Sequence, residues 1–189
     1  MKPANRLPLA FIALPLVLAG CAGIRSEEPS IDQAFIDMMV PHHEAAVAMA
    51  KLAVEEAERP ELRDMANEII AAQSAEIDQL RGWREEWFGS ADTPSMNEMP
   101  MLPGMSMEGG AMSGDTMDMT AEIDGLRGAE PFDRFFIDAM IRHHEQAVEA
   151  ARIVREESDR QEVRQLAEAI IETQTAEIQQ LREWRREWY

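Results

Sequence analysis

The feature that most constrains this chain is an internal duplication. Shifting the sequence by 101 lays residues 35–88 on 136–189 without a gap, with 29 identities in 54 positions. Phe-Ile-Asp-x-Met-x-x-His-His-Glu recurs at 35–44 and 136–145, and Gln-x-Ala-Glu-Ile-x-Gln-Leu-Arg-x-Trp-Arg-x-Glu-Trp at 73–87 and 174–188. A unit of this size that occurs twice predicts two copies of one supersecondary element, packed against each other.

Each copy reads as two amphipathic helices. Phe35, Met39, His42, Ala46, Met49 and Ala53 follow a 3–4 spacing, as do Leu62, Met65, Ile69, Gln73, Glu76, Leu80, Trp83 and Trp87. Pro60 suits the first turn of a new helix, so the break falls near Glu58 and Arg59; Ser158-Asp159 is the matching cap signal in the second copy. Helices of roughly 26 residues would be ~40 Å long at 1.5 Å per residue. One hairpin cannot bury its own apolar stripe, so the expected fold is all-α: two tandem antiparallel hairpins, 31–88 and 131–189, forming a four-helix bundle. Trp83, Trp87, Trp184 and Trp188 are expected to plug one end of it.

Residues 89–130 have no helical period. They hold seven of the ten Gly and eight of the fourteen Met, which predicts an unstructured Met-rich connector.

The N-terminus reads as an address. Lys2 and Arg6 precede an apolar run from Leu7 to Leu18, too short for a bilayer span of about 20 residues. Leu18-Ala19-Gly20-Cys21 resembles a bacterial lipobox, with 1–20 removed as a signal peptide, Cys21 lipidated and 21–30 a tether; a plain cleavage site beside an incidental Cys is the alternative. The expected location is the bacterial cell envelope, anchored to a membrane and facing the periplasm or exterior, with the outer membrane preferred. The single Cys also excludes a disulfide framework or a Cys-rich metal site.

The formal charge is −18, and −20 once the leader with its two basic and no acidic residues is gone. Such a field attracts cations and repels nucleic acid. No Ser-His-Asp arrangement, phosphate loop or dinucleotide fingerprint is present.

The chemistry concentrates in the histidines. All four lie in two His-His pairs, His42-His43 and His143-His144, at the same level of the two copies. With turns near 59 and 160, antiparallel register sets His42 opposite Glu76 and His143 opposite Glu177, with Gln73 and Gln174 one turn away. Polar groups on an apolar stripe need partners, and neutral imidazole is a common metal ligand. A structural His–Glu pair that fixes register is the competing account. Met39 and Met140, three residues before the His pairs, stand where a diiron bundle would carry Glu. Thioether with imidazole favours copper, Cu(I) ahead of Cu(II). Met49 could add a sulfur, whereas its counterpart is Ala150 and that of Met38 is Ala139, so one site shared by both copies is a second arrangement. In the connector, Met96, Met99, Met101, Met105, Met107, Met112, Met117 and Met119 are candidate weaker Cu(I) ligands, because a thioether needs no deprotonation to bind; adaptable hydrophobic surface is the other reading. Asp37 and Asp138 are read as helix-surface charge.

At 35–50 the chain resembles the domain-of-unknown-function family 305, and the resemblance covers both copies. It implies a ferritin-like bundle and exported proteins linked to copper binding and resistance. It marks Met39, His42, His43 and Met49 as candidate ligands, with Met140, His143 and His144 in the second copy; Ala150 and Arg142 depart from the pattern at Met49 and Pro41. The expected function is thus a lipid-anchored copper-binding protein for buffering, resistance or relay, not an enzyme, with copper ions, the membrane, a relay protein or a second copy as partners. A ferritin-like dinuclear metallo-oxidase and a metal-free structural or partner-binding bundle are the alternatives.

Overall fold

The computed structural model describes residues 29–105, 112–113, 116–117 and 119–189; the leader, Cys21 and Met107 lie outside them. Helices α1 (Ile31–Glu56) and α2 (Pro60–Phe88) form the first hairpin, α4 (Phe132–Glu157) and α5 (Gln161–Trp188) the second. Short strands β1 (Met99–Pro100), β2 (Met112–Ser113) and β3 (Thr116–Met117) and helix α3 (Thr120–Leu126) lie between. The all-α bundle of two tandem hairpins is the expected one.

Local chemistry sets the boundaries. The Ser30 hydroxyl accepts from the Gln33 amide at 3.2 Å and starts α1. Pro60 occupies the first turn of α2, where its missing N–H costs nothing. Gly89, at φ +84°, takes the left-handed conformation that ends α2, its amide reaching Glu85 O at 3.0 Å. Ser158 departs from its expected role: it terminates α4, and α5 starts from Arg160 without a side-chain cap. Its hydroxyl instead accepts from the Arg160 amide (3.0 Å) and donates to Asp32 (2.5 Å) in the other hairpin.

That contact belongs to a reciprocal arrangement. Asp32 at the start of α1 holds the second hairpin's turn through Ser158 and Arg160 (3.3 Å). Its equivalent, Asp133 at the start of α4, accepts from the amides of Glu58 (2.9 Å) and Arg59 (3.1 Å) in the first turn. Hydrogen bonds to a charged group are worth ~1.5–3 kcal/mol each. The same exchange recurs in the side chains of the turns, where Arg59 lies over Trp188 (4.1 Å) and Arg160 over Trp87 (4.0 Å). Each hairpin therefore touches the other as it is touched, the signature of a two-fold relation. Because that relation makes the hairpins antiparallel, the stacked pairs Trp83–Trp87 and Trp184–Trp188 sit at opposite ends of the bundle rather than plugging one.

The central contact is α1 on α4, with α2 on α1 and α5 on α4. Phe35, Phe136, Ile36, Leu62, Ile69 and Leu80 are among the largest fully buried side chains of the core.

The connector differs from the expected unstructured segment over its described part. Met99, Leu102, Met119, Ile123 and Leu126 are buried in the same core as the bundle, and Met96, Met101 and Met105 are half-buried against it. The Met119 amide donates to Met96 O at 2.9 Å, and β1-β3-β2 form a small antiparallel sheet. Apolar thioethers in an aperiodic segment have been used to cover α1, which is the physical reason no period was visible.

Candidate metal centre

All four histidines are buried, His143 at 1% exposure and the others at 0%. Their helices aim them in two directions. Adjacent residues on a helix point about 100° apart, so at one level His43 faces α2 while His42 faces α4. His43 Nε2 lies 2.7 Å from Glu76 Oε2, and His144 Nε2 lies 2.8 Å from Glu177 Oε2. Register arithmetic identified both carboxylates but assigned them to His42 and His143. Level alone cannot separate two neighbours that differ only in azimuth.

His42 and His143 instead meet each other. Their ring centroids are 3.7 Å apart with the planes tilted by 36°. The Nε2–H of His42 donates to Gln146 Oε1 at 3.3 Å, an interaction absent from the other copy, where Ala45 occupies the equivalent place.

Burial pushes the His42 pKa down to about 3, the neighbouring His43 adding to the effect and the Gln146 hydrogen bond opposing it. Burial likewise holds His143 well below its usual range, followed by the proximity of His42, His144 and His43. Both rings are neutral at pH 7, the form that offers a lone pair to a metal.

The residual polarity is the most informative feature. The Nδ1 atoms of all four histidines are buried without a hydrogen-bond partner, as are Nε2 of His143, Nε2 of His144, which approaches Glu177 without hydrogen-bond geometry, and the Oε1 atoms of Gln73 and Gln174. Such orphaned groups ordinarily find protein or water partners. At His43 and His144 one nitrogen faces a carboxylate and the other is bare, the pattern by which a second partner orients a metal-binding imidazole. Glu76 and Glu177 thus stand behind their histidines, on side chains 20% and 16% exposed.

Met39 and Met140, one turn upstream of the histidines, are fully buried, as is Met49. Among the described residues no three His, Cys, Asp or Glu are grouped to hold a metal, the histidines included, so a ligand set built on these imidazoles would need thioethers to complete it. Of the connector methionines, Met99 and Met119 belong to the core, Met96, Met101 and Met105 rest on it, and Met112 and Met117 are placed only as strand residues. Asp37 and Asp138 form ion pairs with Arg84 and Arg185 at 2.8 Å, tying α1 to α2 and α4 to α5; Asp138 is partly exposed, but Asp37, at 15% exposure, is largely buried rather than the surface charge expected. Sequence reasoning missed Gln146, whose signal was its lack of a counterpart in the first copy.

The fold and these side chains define a class: a duplicated helical-hairpin bundle with a buried imidazole cluster on its internal symmetry axis. The chain belongs to the domain-of-unknown-function family DUF305, whose model matches residues 32–185. It is similar to CopM in its Cu(II)-bound form (40% identity, TM-score 0.69) and its Cu(I)-bound form (36%, 0.66), in each case over 84% of this chain and 97% of CopM. A DUF305 protein of Streptomyces coelicolor is 25% identical over 80% of this chain and 90% of its own, with a TM-score of 0.66. The uncharacterized protein L153 of Acanthamoeba polyphaga mimivirus is 27% identical over 76 residues, 40% of this chain, which spans half of that relative's length.

Proposed function

We propose that this chain is an exported copper-binding protein that holds the ion in the bundle core and passes it on, rather than an enzyme. The observation that carries the reading is the set of four buried imidazoles whose Nδ1 atoms lack partners. A metal ion relieves that deficit, and the depressed basicity of His42 and His143 means that no proton must leave first. The donor chemistry selects copper: imidazole with the thioethers of Met39, Met140 and Met49 is a soft-to-borderline set that suits Cu(I) and tolerates Cu(II). Likeness to a protein observed with Cu(I), Cu(II) and silver supports the same choice.

In this reading Glu76 and Glu177 orient His43 and His144, and the half-buried Met96, Met101 and Met105 capture and release Cu(I) weakly. A lipid at Cys21 would keep the protein at a membrane, facing the periplasm or exterior, with a relay protein or a second copy receiving the ion. No helix of the described residues is long and apolar enough to cross a membrane.

The test is a Cu(I) competition titration of the chain from Ala22, beside a His42/His43/His143/His144→Ala variant and a variant with Met96, Met101 and Met105 changed to Leu. The reading expects tight binding that the four-His variant loses and the Met variant keeps. Undiminished tight binding in the four-His variant would contradict it.

A further inference from the structure

We propose that Met96, Met101 and Met105 are sulfoxidation sites, and that their oxidation by a peroxide or hypochlorous acid detaches the connector from α1. The inference concerns the metal-free chain and stands apart from the copper-binding reading.

Exposure singles these three out. Of the ten methionines whose exposure is described, seven are buried: five in the helices of the bundle, and Met99 and Met119 in the connector. Met96, Met101 and Met105 are half-buried. Accessible thioether is thus confined to the stretch around β1. The described residues include no cysteine, so these are the first sulfur atoms that an oxidant meets there.

The same side chains hold the connector down. They pack on the core beside Met99 and Leu102, and the Met96 carbonyl accepts from the Met119 amide at 2.9 Å, joining the stretch to the start of α3. Polar support for α3 is thin: Arg142 reaches Glu122 at 3.4 Å on side chains 58% and 25% exposed, and an exposed ion pair adds little. Apolar packing therefore carries the attachment.

The reaction is a two-electron oxygen transfer. The sulfur lone pair attacks one oxygen of the peroxide, the O–O bond breaks, and the attacked oxygen stays on sulfur. The other oxygen takes up the hydroxyl proton and leaves as alcohol, or as water from hydrogen peroxide. Hypochlorous acid gives the same sulfoxide with chloride and a proton. The product is polar and chiral. Its oxygen wants hydrogen bonds that an apolar contact withholds, so the side chain moves to water. A methionine sulfoxide reductase returns the thioether, oxidising two thiols to a disulfide and releasing water. β1 and α3 pack on α1, where Val40, Pro41 and Leu52 are buried, whereas their counterparts Ile141, Arg142 and Ile153 on α4 are not. Detachment therefore uncovers α1, and it opens Met99 and Met119 to a second round of oxidation.

The experiment treats the metal-free chain from Ala22 with rising equivalents of hydrogen peroxide. Peptide mass spectrometry follows each methionine, and hydrogen exchange follows the amides. Met96, Met101 and Met105 should oxidise roughly tenfold or more faster than Met39, Met49 and Met140. The Met119 and Met105 amides should then exchange roughly tenfold or more faster, with helicity by circular dichroism unchanged. A Met96/Met101/Met105→Leu variant keeps apolar packing without an oxidisable sulfur, and its Met119 amide should not respond to peroxide. Equal oxidation rates across all methionines, or sulfoxides at the three sites with unchanged amide exchange, would overturn the proposal. So would peroxide-induced loosening that persists in the Leu variant, because Met107, Met112 and Met117 would then be the sites. If that variant fails to fold, the order of oxidation and exchange in the unsubstituted chain decides.

Discussion

α1 and α4 descend from the same sequence and have the same length, yet α1 buries seventeen of its 26 residues and α4 thirteen. The excess lies at Ala34, Val40, Pro41, Ala45 and Leu52, less Phe132, which is buried where α1 has half-buried Ile31; of the connector elements both β1 and α3 pack on α1, whereas α4 receives α3 alone. Where α1 has Pro41 and Lys51, α4 has Arg142 and Arg152, both exposed, and Arg142 reaches Glu122 of α3 at 3.4 Å. The positions around the histidines stayed alike, while the outward faces and some other buried positions, Met38 against Ala139 and Met49 against Ala150, diverged. The His pairs, Met39 and Met140, and the Gln and Glu residues opposite them all occupy inward positions. Duplication preserved what the axis requires and released what the surroundings could change.

The largest effect that would sharpen this comparison is electrostatic. His42 titrates near pH 3 when folded and near 6.5 when unfolded, so below 6.5 the unfolded chain takes up a proton that the native chain refuses. Stability is therefore full above pH 6.5 and falls as pH drops toward 3, at up to ~1.4 kcal/mol per pH unit from this residue. His143 adds in the same direction. Urea unfolding of the metal-free protein between pH 7 and 4, compared with His42→Leu, should show a shallower loss in the variant. Identical pH slopes would break the account of a neutral axial pair.

Next come the turn clamps. Asp133→Ala strands two backbone amides and should cost ~2–4 kcal/mol, whereas Asp32→Ala removes a hydroxyl and a half-exposed Arg partner and should cost about half as much. Urea midpoints at constant m-value measure both; a reversed order would mean that the two clamps are not as the geometry has them. Leu102→Ala, in the connector, should cost ~2–4 kcal/mol because the side chain is 1% exposed in the core. A change below ~0.5 kcal/mol would return the connector to the unstructured role its composition suggested. The smallest effects belong to the outer cation–π contacts. Arg59→Ala and Arg160→Ala should each cost ~0.5–1 kcal/mol, equal within a few tenths, as the two-fold relation demands.

Much of this was legible in the residues. The 101-residue offset, the 3–4 spacing and Pro60 were enough for the hairpins, and four histidines confined to two equivalent pairs marked the centre. What stayed hidden depended on direction and on long-range partners. His42 and His43 occupy one level, so only three-dimensional packing reveals that one meets Glu76 and the other its own counterpart. Nothing in the sequence marks Asp32 and Asp133 apart from other first-turn acids, because the donors they accept from lie 126 and 75 residues away. The burial of the connector had one visible trace: α1 from Met38 to Val54 is apolar around most of its circumference, and a helix of that kind is covered on more than one side.

The central claim, that buried imidazoles and not the connector thioethers hold the metal, is tested most directly by X-ray absorption on the chain from Ala22 loaded with one equivalent of Cu(I). Nitrogen scatterers with imidazole multiple-scattering features, at about 2.0 Å, accompanied by sulfur, are the predicted spectrum. A first shell of sulfur alone would contradict the account and move the metal to the methionines between the hairpins.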